Sequence, residues 1–326
     1  MRARRLFHEL SRRGASATLA FGALGLAGCS EAPPSARRAA LAPAVSAAQG
    51  DGSEADAGSV ASTRARRPPP PSGADGDIAD HVSLPAFSDC GSADPPARPL
   101  RVASWNIKAA RDANIELIAE ELARMDADVV ALQEVDVNAR RTGRVDQPRA
   151  LAEALGYDYA FTGALYWDDG VFGLAVLSRL PFAGIERHRL DPDGSSEPRI
   201  VLDARVCHGE RPVRLLNLHT DIFAEVSRRQ LTQAAALAEP DVDGNLLLVG
   251  DFNQRPDGAG TRVIADTGLV DLFEGDGRAT AGPGRIDYMF VGQALARALV
   301  SVRLWETTVS DHHALIAEFA PNRAPQ

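Results

Sequence analysis

Residues 99–326 predict an α/β domain with two packed β-sheets at its core and helices outside. Short apolar runs of strand length fall at 100–106, 128–133, 173–178, 200–206, 213–219, 245–250, 285–291, 299–305 and 313–319. Helix-like segments fall at 114–125, 147–155 and 222–237, and in the first of these Ile115, Ile118, Leu122 and Met125 share one face. Strands come first, then alternate with helices, then return, and that order places helices on the outside of a double sheet.

The segments before this domain read differently. Residues 1–29 carry Arg2, Arg4, Arg5, Arg12 and Arg13, an uncharged run from Gly14 to Gly28, and then Cys29. A basic start, a short apolar run and small residues before a break mark an export signal, and the run is too short for a comfortable membrane span. Residues 30–98 are rich in Ala, Pro, Ser, Gly and Asp and show no sustained period, so they are expected to form a disordered or extended tether. The three segments are thus a signal at 1–29, a tether at 30–98 and one domain at 99–326.

Composition narrows the function. The chain has 326 residues, 45% of them hydrophobic, enough for a sizeable core, and its 3 Cys exclude a disulfide-dense mini-scaffold. The net charge of −9 disfavours a protein that coats nucleic acid, though not a nuclease with a local cationic track. The acidity is localised, since residues 1–98 carry +1 and residues 99–326 carry −10. Lys108 is the only lysine. If Cys29 is modified, Cys90 and Cys207 remain, either as one bridge between tether and domain or as isolated thiols.

Taken in order, the strands of the domain end on polar residues that carry chemistry. Trp105-Asn106-Ile107 closes the first, Leu132-Gln133-Glu134 the next, Asn217-Leu218-His219 another, and Gly250-Asp251-Phe252-Asn253 a fourth. Arg285-Ile286-Asp287-Tyr288 lies in a later strand, and Ser310-Asp311-His312-His313 opens the last. Rigid strand ends in layered α/β folds aim side chains into one crevice. Any one of these endings alone is an ordinary turn or a solvated strand end; six in one domain are not. Asp, Glu and Asn supply hard oxygen ligands that suit Mg²⁺, Mn²⁺ or Ca²⁺, and no Cys cluster supports zinc. Such an ion beside a His and a spare Asp suits phosphoester hydrolysis. No G-x-S-x-G elbow or G-x-x-x-x-G-K-[ST] loop is present.

In this order the residues closely resemble the endonuclease/exonuclease/phosphatase superfamily over about 100–319, through Trp-Asn-Ile, Leu-Gln-Glu-Val, Gly-Asp-Phe-Asn, Arg-Ile-Asp-Tyr and Ser-Asp-His. The resemblance implies a DNase I-like four-layer α/β/β/α sandwich, two mixed sheets flanked by helices. It implies a Mg²⁺ (or Mn²⁺) site on Glu134, with Asn106 and Asp311 completing the metal shell. Asp251 would orient or deprotonate the attacking water, and Asn253 would hold the water or the phosphate. His312, oriented by Asp287, would stabilise the transition state or pass a proton. His219 and Asn217 would contact phosphate, with His219 a possible acid, and Arg199 would meet a non-bridging oxygen. Lys108 departs from the superfamily pattern, standing where several nucleases carry an acidic metal ligand, which argues against a second ion there.

Leu26-Ala27-Gly28-Cys29 resembles the lipobox of bacterial lipoproteins, which implies lipidation of Cys29, export, and attachment at the periplasmic face of the outer membrane or the cell surface. The expected activity is that of an exported, metal-dependent phosphodiesterase. Its expected substrates are nucleic acid, phospholipid or inositol phosphate, with the membrane reached through the lipid anchor and no protein partner inferred. The basic loop from Arg140 to Arg144 is a candidate phosphate-steering edge.

Overall fold

The structure, a computed structural model, describes residues 82–90, 98–190, 197–209 and 212–321. The expected signal at 1–29, including Cys29, and the tether at 30–81 lie outside the described residues.

Two sheets form the centre. The seven-stranded sheet runs β1 (Val82–Ser83), β4 (Asp158–Trp167), β5 (Gly170–Ser178), β3 (Val129–Val137), β2 (Leu100–Asn106), β13 (Ala314–Phe319) and β12 (Leu299–Trp305) from edge to edge. The six-stranded sheet runs β10 (Val270–Asp271), β11 (Asp287–Val291), β9 (Leu246–Asp251), β8 (Pro212–His219), β7 (Arg199–Cys207) and β6 (Phe182–Leu190). Each is antiparallel except for one parallel pair, β2 with β3 in the first and β8 with β9 in the second. A parallel pair needs a crossover, and the crossover helices are α1 (Ile115–Met125) and α3 (Ala224–Ala238).

The inner faces of the sheets meet in one apolar core, where Val102, Val129 and Val176 of the first lie with Leu202, Leu215, Leu247 and Met289 of the second. On the outer face of the first sheet, Ile118 and Leu122 of α1 and Leu151 of α2 (Gln147–Leu155) pack with Trp105, Leu132 and Leu177. On the outer face of the second, Leu231 and Ala234 of α3 and Ile264 of α4 (Ala259–Asp266) pack with Leu216, Leu248 and Phe290. The layers are α/β/β/α. Fully burying a side chain such as Leu122 contributes about 1.5–3 kcal/mol, so the helical spacing read in 114–125 is what holds α1 to the sheet. The helix starts where Asn114 accepts a hydrogen bond from Leu117 N and stops at the left-handed Asp126. The short α5 (Gln293–Ala298) leads into β12 and buries Leu295.

The predicted strands and helices all form, with ends shifted by up to four residues. Strands β1, β4, β6 and β10 and helices α4 and α5 were not predicted. The end of the expected tether is also part of the fold. Val82 and Ser83 pair with Thr162 and Phe161 on the edge of the first sheet. Ser88 N then donates to Phe182 O at 2.8 Å on the second sheet, and Cys90 forms a disulfide with Cys207 of β7. Residues 82–90 therefore straddle both sheets. Of the two readings of Cys90 and Cys207, the bridge is the one found.

Candidate active site

The two parallel pairs fix the location of the site. Both pairs end on the same rim of the sandwich, carrying Asn106 and Glu134 from the first sheet and His219 and Asp251 from the second. Pockets in α/β folds open at such carboxyl ends. The antiparallel neighbours begin there, so Asp287 at the start of β11 lies directly beside Asp251 in register, and His312 sits just before β13.

Local backbone geometry turns these side chains inward. Gly250, at φ +133°, has no room for a side chain, because a Cβ would lie 1.9 Å from Leu218 O on the neighbouring strand. That close approach brings Asp251 beside His219. Glu134 (φ 53°) sits in a bulge between Leu132 and Val135, and Asn253 (φ 49°) turns the chain after Asp251. The loop bearing His312 is held from the first sheet: Trp105 Nε1 donates to His312 O at 2.9 Å and Ser310 Oγ to Asn106 O at 2.8 Å. This is the structural work of the Trp-Asn-Ile and Ser-Asp-His motifs.

At the centre is a buried acid–imidazole group. His312 Nδ1 lies 2.9 Å from Asp287 Oδ2, and its Nε2 faces Asp251 Oδ2 at 3.8 Å. Thr280 Oγ1 accepts the backbone N–H groups of Ile286 and Asp287, which fixes the start of β11. His219 Nε2 approaches the same Asp251 oxygen at 3.5 Å, while Asn253 N donates to the other at 2.9 Å. Burial, then the neighbouring Asp287 charge, pushes the Asp251 carboxyl up to about 7. Burial alone would push the His312 imidazole down, but the charge and hydrogen bond of Asp287, with Asp251 behind them, hold it up at about 10.

Asn106 Nδ2 spans two carboxylates, 3.1 Å from Asp251 Oδ2 and 3.3 Å from Glu134 Oε1, while its Oδ1 accepts from Lys108 N at 3.0 Å. Asn106 therefore reaches the expected metal shell as the group that holds Glu134 and Asp251 together. Asn253 Nδ2 is anchored on Thr220 O at 3.0 Å. Arg199 opens β7, is 6% exposed, and lies close enough to Asp221, Glu134 and Asp251 to be attracted by all three, although burial pulls its guanidinium pKa down. Its Nε has no hydrogen-bond partner. Asp311 is half-exposed, on the rim, with Lys108 Nζ at 2.8 Å.

Two expectations are corrected. Asn217 does not face a substrate: it is fully buried, donates to Leu132 O and Ala175 O at 3.0 Å each, and accepts from Gln133 Nε2 at 2.7 Å. It pins the two sheets together beneath the site. The basic loop spends its charge on neighbouring acids rather than presenting it unpaired to phosphate. Arg141 forms two hydrogen bonds to the buried Asp136 and lies over Trp167 and Phe172, Arg140 pairs with Asp168, and Arg144 with Asp169. Conversely, the candidate residues omitted Lys108 and Arg111, which reach Asp311 and, at 3.7 Å, Glu134. Arg111 had no signal beyond its position near Trp105-Asn106-Ile107, whereas Lys108 was also marked as the sole lysine.

The donor set suits a divalent cation. Asp251, Asp287 and His312 offer ligand atoms within 4.8 Å of one another, with Glu134 tied to Asp251 through Asn106. Oxygen donors outnumber nitrogen and no thiol takes part.

A buried Asp–His pair facing a second acid, on the rim of an α/β/β/α sandwich, defines a hydrolase acting on phosphoesters. The chain belongs to the endonuclease/exonuclease/phosphatase family, whose model matches residues 103–312. It is 27% identical over 223 residues to the uncharacterized protein YbhP of Escherichia coli (strain K12), covering 62% of this chain and 86% of YbhP. An endonuclease/exonuclease/phosphatase from Beutenbergia cavernae shares the fold with a TM-score of 0.58 and 24% identity, covering 70% of this chain and 73% of that one. A mannosyl-6-phosphatase of Bacteroides thetaiotaomicron superposes with a TM-score of 0.55 and 20% identity over 68% of this chain and 99% of that one.

Proposed function

We propose that the protein is an exported, Mg²⁺- or Mn²⁺-dependent phosphodiesterase that cleaves by in-line attack of water. The observation that carries this reading is the Asp251–His312–Asp287 group, two acids and an imidazole on one rim, with the Glu134 carboxylate beside them. Glu134, with Asp311 and the Asn106 carboxamide, would hold the ion. When bound, it would neutralise charge on the phosphate and lower the barrier to attack.

The remaining steps belong to this chain's own groups. Asp251 takes the proton of the attacking water, with Asn253 fixing the geometry at its other side. His312, held by Asp287 at Nδ1, presents Nε2 to the charge that develops on the pentavalent phosphorus centre and passes a proton to the leaving oxygen. His219 flanks the same Asp251 oxygen and supplies a second donor toward the phosphate. Arg199 meets a non-bridging oxygen from its buried position. Against Glu134, Asp251 and Asp287, the inner site sets His312 and Arg199 as cations, a net −1 that a bound divalent ion would bring to +1, which matches a monoanionic diester better than a dianionic monoester.

Export is supported by the Cys90–Cys207 disulfide, since such bridges persist in oxidising compartments. Lipidation at Cys29 and a location at the periplasmic face of the outer membrane or the cell surface complete the proposal. The test is a Mg²⁺/Mn²⁺ panel of bis-p-nitrophenyl phosphate, p-nitrophenyl phosphate, plasmid DNA, RNA, phospholipid and inositol phosphate. The proposal expects the diester to be cleaved in preference to the monoester; a strict monoesterase, or no turnover of any member, overturns it. The natural members separate a nuclease from a head-group hydrolase.

A further inference from the structure

We propose that Lys108 is a built-in cation of the active site: it holds Asp311, donates to a phosphoryl oxygen of the substrate, and leaves room for a single divalent ion. The inference rests on the proposed phosphoesterase reading and adds a positioning and phosphate-binding residue to it.

The backbone around Lys108 is unusual. Lys108, Ala109 and Ala110 have φ of 49°, 51° and 52°, three consecutive non-glycine residues in the left-handed region, where such residues normally occur singly. A conformation of this kind persists only where the surroundings over-determine it. Here Lys108 N is held by Asn106 Oδ1 at 3.0 Å, Ala110 N by Ile107 O at 2.8 Å, Arg111 N by Lys108 O at 3.0 Å, and Ala109 O by Gln147 Nε2 at 2.7 Å. The outcome of this enforced turn is the placement of one side chain. The Lys108 ammonium lies 2.7 Å from Asp112 Oδ2 and 2.8 Å from Asp311 Oδ2, its side chain 27% exposed at the mouth of the site.

The chemistry of the position fits. In a chain whose 35 strong bases are otherwise all arginine, the single lysine stands here. An ammonium is a compact point charge with three donors, whereas a guanidinium is a flat fork. Two carboxylates take two of the Lys108 donors, which leaves a third for an incoming phosphate oxygen. Charge pairing then limits the ion. Asp287 is answered by His312, and the Lys108 ammonium stands 2.8 Å from Asp311, so the position beside that proposed ligand carries a cation rather than a further acid. Glu134 and Asp311 then serve one divalent ion, with no acid beside Asp311 for a second.

The test combines calorimetric Mn²⁺ titration with kinetics on bis-p-nitrophenyl phosphate, with thermal melting to confirm that each variant is folded. The wild type is expected to bind one Mn²⁺ per chain. Lys108→Asp, which removes the cation and adds a ligand beside Asp311, is expected to bind two. Lys108→Met is expected to keep one ion but lose about 100-fold in kcat/KM at saturating Mn²⁺, the usual scale for removing one charged donor to the transition state, and Lys108→Arg to recover part of that loss. Two ions in the wild type, one ion in Lys108→Asp, or Lys108→Met within about twofold of wild type would each overturn the proposal. If the wild type cleaves no phosphoester, the functional reading fails while the ion count still decides the role of Lys108.

Discussion

Replacing Asn217 by Leu separates a structural amide from a substrate contact. The side chain is fully buried where the sheets meet, and its three hydrogen bonds reach Leu132 O, Ala175 O and Gln133 Nε2. Leucine has nearly the same volume, so the perturbation is the loss of these partners rather than a cavity. Each buried polar group left unsatisfied costs about 1–3 kcal/mol. Gln133 keeps Ser104 Oγ at 3.2 Å, so its loss is only partial. The low end of that range for each group gives roughly 2–3 kcal/mol. In a domain of this size 1 kcal/mol moves Tm by about 2–4 °C, so the expected fall is about 4–12 °C. The assay is thermal denaturation followed by circular dichroism, with KM measured well below the lowered Tm. A KM unchanged at that temperature supports the structural role. A Tm within about 2 °C of wild type together with a raised KM would refute it and return Asn217 to the substrate.

Three further outcomes are expected. Asp287→Asn leaves the imidazole of His312 without its carboxylate, and kcat should fall by about 10²–10⁴-fold with KM little changed; a kcat within about threefold of wild type would show that the pair is not catalytic. The Cys90–Cys207 bridge spans a sequence separation of 117, for which chain entropy gives an upper bound of about 4–5 kcal/mol. Cys207→Ser should therefore lower Tm under oxidising conditions, whereas a reductant should lower only the wild type; equal Tm values would dismiss the bridge. Burial lowers the pKa of His208, with the Arg98 charge acting in the same direction. Because its folded pKa lies below its unfolded value, the stability it contributes is present above about pH 6.5 and is lost as pH falls toward the folded pKa. His208→Gln should flatten urea-midpoint stability between about pH 7 and 5, and an unchanged slope would contradict this.

The parts legible in sequence were those where one local pattern decides the structure. Apolar runs with polar ends gave β2, β3, β8 and β9, because buried central strands need apolar residues on both faces. The strands not found were those where the pattern is diluted. Strand β6 carries Glu186, Arg187, His188 and Arg189 in succession on a sheet edge, and β4 is interrupted by an irregularity at Gly163. Strand β1 hid in a Pro-rich stretch because its partner lies some eighty residues downstream on β4. The same holds for the site. Glu134, Asp251, Asp287 and His312 announce themselves as polar ends of apolar strands, and the fold brings them together. Asn217 has the same appearance but points between the sheets, since strand alternation sets its direction and the distance to the rim decides what it meets. Lys108 was legible as the sole lysine, but its placement depends on three left-handed residues that no propensity favours.

The most direct measurement of the central claim is Mg²⁺- and Mn²⁺-dependent hydrolysis of bis-p-nitrophenyl phosphate by the wild type, Asp251→Asn and His312→Ala. The expected result is metal-dependent turnover in the wild type, abolished by EDTA and reduced by at least about 10³-fold in each variant with the fold intact. Wild-type-like rates in both variants, or turnover indifferent to EDTA, would contradict the account.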